Sequence, residues 1–99
     1  MTKISIITNP YGIGAWGPET TTYEVEGPIS LLTESDIRAC LSRHKTTTKS
    51  GARVANAITN VRFANSTYAR LPDGSVPLMA GYGYYPDGSV EIFHVVAAD

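Results

Sequence analysis

The sequence predicts a single α+β domain, residues 1–99, with a mainly antiparallel sheet. Three observations lead to this prediction. The turn signal Pro-Asp-Gly-Ser-Val occurs twice, at 72–76 and 86–90, and an apolar, aromatic run lies between the copies. The clearest helical periodicity is confined to about 33–44, and two segments near the N-terminus alternate like strands. The predicted order is ββα(α)βββ, with a C-terminal three-stranded meander and helix packed on one face of the sheet.

Length, charge and cysteine content limit the class of protein. The chain has 99 residues, which suits one domain with a modest core. Its net charge of −1 gives no reason to expect disorder. Cys40 is the single cysteine, so no intrachain disulfide forms, and this favours a reducing, cytoplasmic location. No apolar run approaches the roughly 20 residues of a membrane helix, so we expect no membrane association.

The N-terminal third predicts two strands separated by a glycine-rich loop. Lys3 to Thr8 is rich in β-branched residues, and Asn9-Pro10 ends it because the residue before proline is restricted. The loop spans 9–20. Thr21 to Glu26 alternates polar and apolar side chains, which predicts one solvated face, and Gly27-Pro28 ends this second strand.

The segment from Thr33 to about His44 is the clearest helix. Thr33 is a good N-cap, and Asp36 three residues later completes a shorter form of the capping box. Apolar positions recur at helical spacing on one face: Ile37, Cys40, Leu41 and His44. A polar linker follows, and residues 51–60 fit either a second, shorter helix or extended chain.

The two turn signals predict the meander and its register. Proline presets the first turn position, and glycine supplies the left-handed conformation of a hairpin loop. The register then puts one set of side chains on the face that we expect to meet the core: Arg62, Ala64, Tyr68, Leu78, Tyr82, Tyr84, Val90, Ile92 and Val96. The opposite face has Phe63 and Phe93 flanking Gly81 and Gly83, so both faces are rather apolar.

Aromatic side chains are the best indication of an interaction surface. Tyrosine and tryptophan offer large, stiff contact areas with a polar tip, and they are enriched in binding hot spots. Tyr11 and Trp16 lie in the glycine-rich loop, where burial is difficult. The candidate protein-binding residues are therefore Tyr11, Trp16, Phe63, Tyr85 and Phe93.

A basic segment, 38–53, is a second candidate site. It carries five cations and no acidic side chain, together with Thr and Ser hydroxyls that suit an anion. The candidate anion-binding residues are Arg43, Lys45, Lys49 and Arg53. A nucleic-acid binder is usually basic overall, and this chain is not.

No catalytic, metal or cofactor site is predicted. Gly12 to Gly17 matches G-x-G-x-x-G, but a strand rather than a helix follows it, so a dinucleotide would lack the helix N-terminus it needs. Cys40 and a histidine, His44 or His94, could form a thiol–imidazole pair, although the apolar helix face favours core packing. Structural zinc takes four Cys or His ligands, and the chain has three such residues.

Three functional hypotheses remain. The first is a small non-enzymatic binding protein that acts through protein–protein contacts, an inhibitor or adaptor of the phage or mobile-element type by base rate alone. The second is nucleic-acid or phosphate-ligand binding through the basic segment 38–53. The third is a small enzyme that uses Cys40 with a histidine. An apolar outer face could also be covered by a second copy in a symmetric homodimer.

Overall fold

The computed structural model describes residues 1–12, 17–43, 45–47, 53–55, 58–64, 71, 74, 76–85, 88 and 90–98, and only the backbone of 45–47 and 53–55. Within these residues the α+β prediction is confirmed: one α-helix accompanies a five-stranded antiparallel sheet. The elements are β1 Thr2–Thr8, β2 Glu19–Val25, a 3-10 helix Ile29–Leu31, α1 Glu34–Leu41, β3 Lys45–Thr47, β4 Arg53–Ala55, β5 Thr59–Ala64, β6 Met79–Tyr84 and β7 Val90–Ala97.

The five-stranded sheet has the order β2-β1-β7-β6-β5. Strands β5, β6 and β7 form the meander. β7 also pairs with β1, from Ile4↔Ala97 to Thr8↔Phe93, and this pairing joins the meander to the hairpin of β1 and β2. β7 is thus the central strand, as its β-branched sequence favours. Strands β3 and β4 form a separate two-stranded sheet.

The capping residues of α1 are those that the sequence predicts. The Thr33 hydroxyl accepts a hydrogen bond from the Asp36 backbone N–H at 3.3 Å, and the Asp36 carboxylate accepts from the Thr33 N–H at 2.9 Å. This reciprocal pair satisfies two donors at the helix start. The helix then buries Ile37, Cys40 and Leu41 against the sheet.

The prediction of which sheet face meets the core is wrong. Phe93 and Val95 of β7 are fully buried beside Ile4 and Ile6 of β1, and these side chains share a cluster with α1. The core therefore lies on the face that carries the phenylalanines, and the tyrosine face points away from the helix. Alternation shows that two faces differ, but the face that meets the helix is decided by which side chains align across neighbouring strands.

The register of the meander follows the prediction in one half only. Strand β6 pairs with β7 as expected, with Tyr84 opposite Val90. Strand β5 is displaced by two residues, so that Arg62 pairs with Tyr82 and Ala64 with Ala80. The second turn signal directly joins its two strands, whereas β5 ends well before the first signal, so that turn does not fix the β5 register. An even displacement leaves every side chain on the same face.

The helical alternative for residues 51–60 is also wrong in the described part of that segment. Residues 53–55 form strand β4, and β5 begins at Thr59. β-Branched side chains and the backbone bonds to β3 prevail over the helical spacing there. In the described ranges no helix is long and apolar enough to cross a membrane.

Candidate binding face

The face of the five-stranded sheet opposite α1, which we call the open face, follows from the strand registers. Residues that alternate with Phe93 and Ile6 project from it. Its central apolar and aromatic members are Ile7, Ala80, Tyr82, Tyr84, Val90, Ile92 and Val96. Its polar and charged members include Lys3, Ser5, Thr20, Thr22, Glu24 and Arg62.

The centre of the open face exposes large side chains. Tyr82 is 37% exposed and Val90 is 44% exposed. The rings of Tyr82 and Tyr84 pack edge to face, with centroids 5.9 Å apart, and this contact restrains both rings. The charged members, Lys3, Glu24 and Arg62, lie on β1, β2 and β5 rather than on β6 and β7, which carry Tyr82 and Val90. The result is an uncharged centre with a charged rim, as many protein interfaces have.

A tyrosine from the loop after β1 also lies on this face. The Tyr11 ring packs edge to face against His94, with centroids 5.4 Å apart, and Tyr11 Oη lies 3.3 Å from His94 Nε2. Tyr11 remains 55% exposed, whereas His94 beneath it is 1% exposed. The hydrogen bond anchors a side chain that would otherwise lose much conformational entropy on binding a partner.

His94 is held neutral by its surroundings. It projects between Ile7 of β1 and Ala80 of β6, and burial lowers the pKa of its imidazole. Its Nδ1 has no hydrogen-bond partner among the described residues. A buried imidazolium would therefore be poorly solvated, and the neutral ring is the stable form in the fold.

The other candidate protein-binding residues that the structure describes are not on the open face. Phe93 is fully buried and Tyr85 is 4% exposed, so both contribute to the core. Phe63 is half-buried, and its ring packs edge to face on Phe93 at 5.8 Å. Trp16 lies outside the described residues. Tyr11 is the one described candidate that the structure leaves strongly exposed.

Sequence reasoning assigned Tyr82, Tyr84 and Ile92 to the core and so missed them as surface residues. One signal in the sequence could have identified them. Within strands β5, β6 and β7, the two faces of the meander divide their aromatic residues by type, with phenylalanines on one and tyrosines on the other. A tyrosine hydroxyl needs a hydrogen-bond partner when buried, so the tyrosine face is the better one to solvate.

Of the candidate anion-binding residues, the structure describes the side chain of Arg43. Its guanidinium lies over the Tyr23 ring, 5.8 Å from the centroid, and Nη2 is 3.8 Å from Cys40 Sγ. Lys45 and Arg53 belong to β3 and β4, of which the backbone alone is described. Lys49 lies outside the described residues. Arg43 thus packs on β2 at the end of α1 while keeping its charge near the surface.

A cleft of about 510 Å³ lies between α1 and β5. Arg38 forms one wall: its guanidinium donates to the Val61 carbonyl at 3.2 Å and stacks 5.1 Å from the Phe63 ring centroid. No described residue that lines the cleft is acidic. The lining residues are Arg38, Leu41, Ser42, Ile58, Thr59, Asn60, Val61 and Arg62. The Arg38 guanidinium and the hydroxyls of Ser42 and Thr59 are groups that could contact an anion.

The structure separates Cys40 from the described histidine. Cys40 is 1% exposed on the buried side of α1, and burial raises the pKa of its thiol. His94 projects from the opposite face of the sheet. His44 lies outside the described residues. In the described part of the chain, no group of three or more His, Cys, Asp or Glu side chains is placed to bind a metal ion.

Comparisons of the chain with protein-family models, with curated proteins and with solved structures found no match.

Proposed function

We propose that this chain is a small non-enzymatic binding protein that contacts a protein partner through the open face. The observation that carries the proposal is the exposure of Tyr82, Val90 and Tyr11 on the side of the sheet opposite the helix. A sheet needs one apolar face to complete a core, and here the phenylalanine face does so. The second apolar face is then available for recognition.

The composition of the open face suits a protein partner. Tyrosines bury large areas with few rotatable bonds, and the ring contacts of Tyr11 and Tyr82 hold both side chains in place before binding. Charges at the rim provide orientation without the cost of desolvating ions at the centre. A chain with such a face suits an inhibitor or an adaptor, which acts by occupying a partner rather than by chemistry.

The test is affinity capture with matched surface variants. The tagged protein is incubated with lysate from the source cell, and bound proteins are quantified by mass spectrometry before and after nuclease treatment. Tyr82→Ala is expected to lower recovery of the specific partner about tenfold or more, as hot-spot truncations do. The control is Leu31→Ala, which removes a 68% exposed apolar side chain from the 3-10 helix.

Both variants are expected to melt near the wild-type temperature, because neither side chain is in the core. Equal recovery by wild type, Tyr82→Ala and Leu31→Ala would contradict the proposal. Recovery that disappears with nuclease would instead indicate a nucleic-acid ligand.

The cleft between α1 and β5 favours a second candidate function, the binding of a phosphorylated ligand or nucleic acid beside the basic segment. Arg38 lines this cleft and has donors beyond the one bound to the Val61 carbonyl. Fluorescence polarisation with a labelled single-stranded oligonucleotide tests this function. Arg38→Gln is expected to weaken the binding and to reduce its salt dependence, and Lys3→Gln is the control. Binding that is independent of salt would contradict it.

A further inference from the structure

The two edges of the five-stranded sheet differ in how well they resist pairing with another strand. Strand β5 forms one edge, and its pairing is interrupted by a register shift between Thr59 and Arg62, where Asn60 has a φ of 53°. The Arg38 guanidinium also donates a hydrogen bond to the Val61 carbonyl, which is then unavailable to another strand. Bulges and competing side chains are the usual protection of an exposed edge.

Strand β2 forms the other edge, and among the described residues it has neither a bulge nor a side chain bonded to its outward carbonyl groups. It pairs with β1 at every position from Thr2↔Val25 to Thr8↔Glu19 without a register shift. The strand contains no proline, glycine or lysine. A regular, unprotected edge of this length is a template for a further strand.

The hydrogen bonds of β1 show which backbone groups of β2 face outward. Ala98 N–H donates to the Lys3 carbonyl and Asn9 N–H donates to the Ile92 carbonyl, each at 3.1 Å. The odd-numbered residues of β1 therefore bond to β7, and the even-numbered residues bond to β2. By the β1–β2 register, Glu19, Thr21, Tyr23 and Val25 bond to β1.

The remaining residues of β2, Thr20, Thr22 and Glu24, direct their N–H and C=O groups to the free edge. All three are exposed, so no residue in the described ranges covers this edge closely.

We propose that β2 pairs antiparallel with β2 of a second copy of this chain, about a two-fold axis at Thr22. This register places Thr22 opposite Thr22 and Thr20 opposite Glu24. Each of the three outward residues then donates one bond and accepts one, which gives about six bonds across the axis. No like charges are opposed, and threonine–threonine pairs are favourable across strands.

Other registers of the same two strands are worse. An axis at Glu24 would oppose two carboxylates. An axis at Thr20 would bring Thr22 opposite Pro18, which precedes the strand and has no N–H to donate. The sequence of β2 is therefore self-complementary in the one register that uses all of its free groups. A two-fold axis is also the commonest symmetry of protein oligomers.

The dimer joins the two sheets edge to edge. It adds strands in the plane of the sheet and leaves the open face uncovered on both copies. The proposed protein-binding function uses side chains at the centre of the open face, whereas the proposed dimer uses the backbone groups of the β2 edge, so each can fail without the other.

Sedimentation velocity from low to high micromolar protein tests the pairing. The wild type is expected to form a dimer, and Thr22→Pro is expected to raise the dimer dissociation constant about tenfold or more, because it removes a central N–H donor. Proline is tolerated where the N–H faces away from the sheet, so this variant is expected to fold. Thr22→Val keeps the N–H and is the control that retains the dimer.

Cysteine cross-linking gives a second measurement that does not depend on proline. Thr22→Cys is expected to form an oxidised dimer readily, because the axis brings the two copies of residue 22 together. Thr20→Cys places its two copies several residues apart and is expected not to cross-link. Wild type reports any contribution from the buried Cys40. A monomeric wild type, a dimer that survives Thr22→Pro, or equal cross-linking at both positions would overturn the proposal.

Discussion

Gly81→Ala tests the packing that decides which face of the sheet forms the core. A Cβ at this position would overlap the Arg62 carbonyl oxygen of β5 and would lie 2.9 Å from Phe93 Cζ. Carbon atoms normally approach to about 3.5–4.0 Å. The clash with Phe93 involves a ring that is fully buried, and the clash with Arg62 involves backbone, which no rotamer change relieves.

The expected cost follows from these contacts. Overpacking a core by one carbon typically costs about 1–3 kcal/mol, and a backbone clash belongs at the upper end. Removing glycine from the unfolded chain returns about 0.4–1 kcal/mol. The net loss is about 2 kcal/mol, which corresponds to a melting temperature lower by about 8–16 °C in a domain of this size.

Thermal and urea unfolding followed by circular dichroism measure this loss. Gly17→Ala is the matched control, because a Cβ there would meet nothing within 4 Å, and it is expected to leave the melting temperature almost unchanged. If Gly81→Ala melted within a few degrees of Gly17→Ala, the close approach of β5, Gly81 and Phe93 would be refuted. The packing of Phe93 against β6 on the core face would then be wrong.

Three further outcomes are expected. Burial lowers the pKa of His94, so the unfolded chain binds a proton first as the pH falls below about 6.5. The contribution of the neutral ring to stability is therefore full above that pH, and below it the free energy of unfolding decreases by at most about 1.4 kcal/mol per pH unit. Urea unfolding of wild type and His94→Gln should diverge below pH 6.5, and parallel pH profiles would refute this. Cys40, whose thiol is buried and has a raised pKa, should react with a thiol reagent far more slowly in the folded protein than in denaturant, and rapid labelling of the folded protein would contradict its placement. Thr33→Ala removes the capping box and should lower the free energy of unfolding by about 0.5–2 kcal/mol, whereas the neighbouring Ser35→Ala should lower it little. Equal losses in urea unfolding would argue against the cap.

The elements that the sequence predicted correctly depend on local chemistry. The Thr33 cap requires a hydroxyl and a carboxylate three residues apart, and both are visible in the sequence. The register of β6 against β7 depends on one short turn, with Gly88 in the left-handed conformation at a φ of 87°. Interactions this short in sequence are insensitive to the rest of the fold.

The candidate binding face was only half predictable. The sequence placed Tyr11 in a glycine-rich loop, where burial is difficult, but it gave no reason to place that ring on His94, which is 83 residues away. It also showed an apolar second face in the meander, but it assigned the two faces in reverse. That assignment depends on β1, whose Ile4 and Ile6 align with the phenylalanine side of β7, and strand pairing between distant segments leaves no local signal.

The sequence by itself determined the class of fold, the helix start and the turns of the meander, because each depends on residues close together in the chain. The tertiary structure decided which strand is central, which edge is unprotected and which face is open. These features arise when β7 pairs with β1 and α1 packs over Phe93, and both contacts join segments far apart in sequence. Both proposed surfaces, the open face and the β2 edge, are consequences of that pairing.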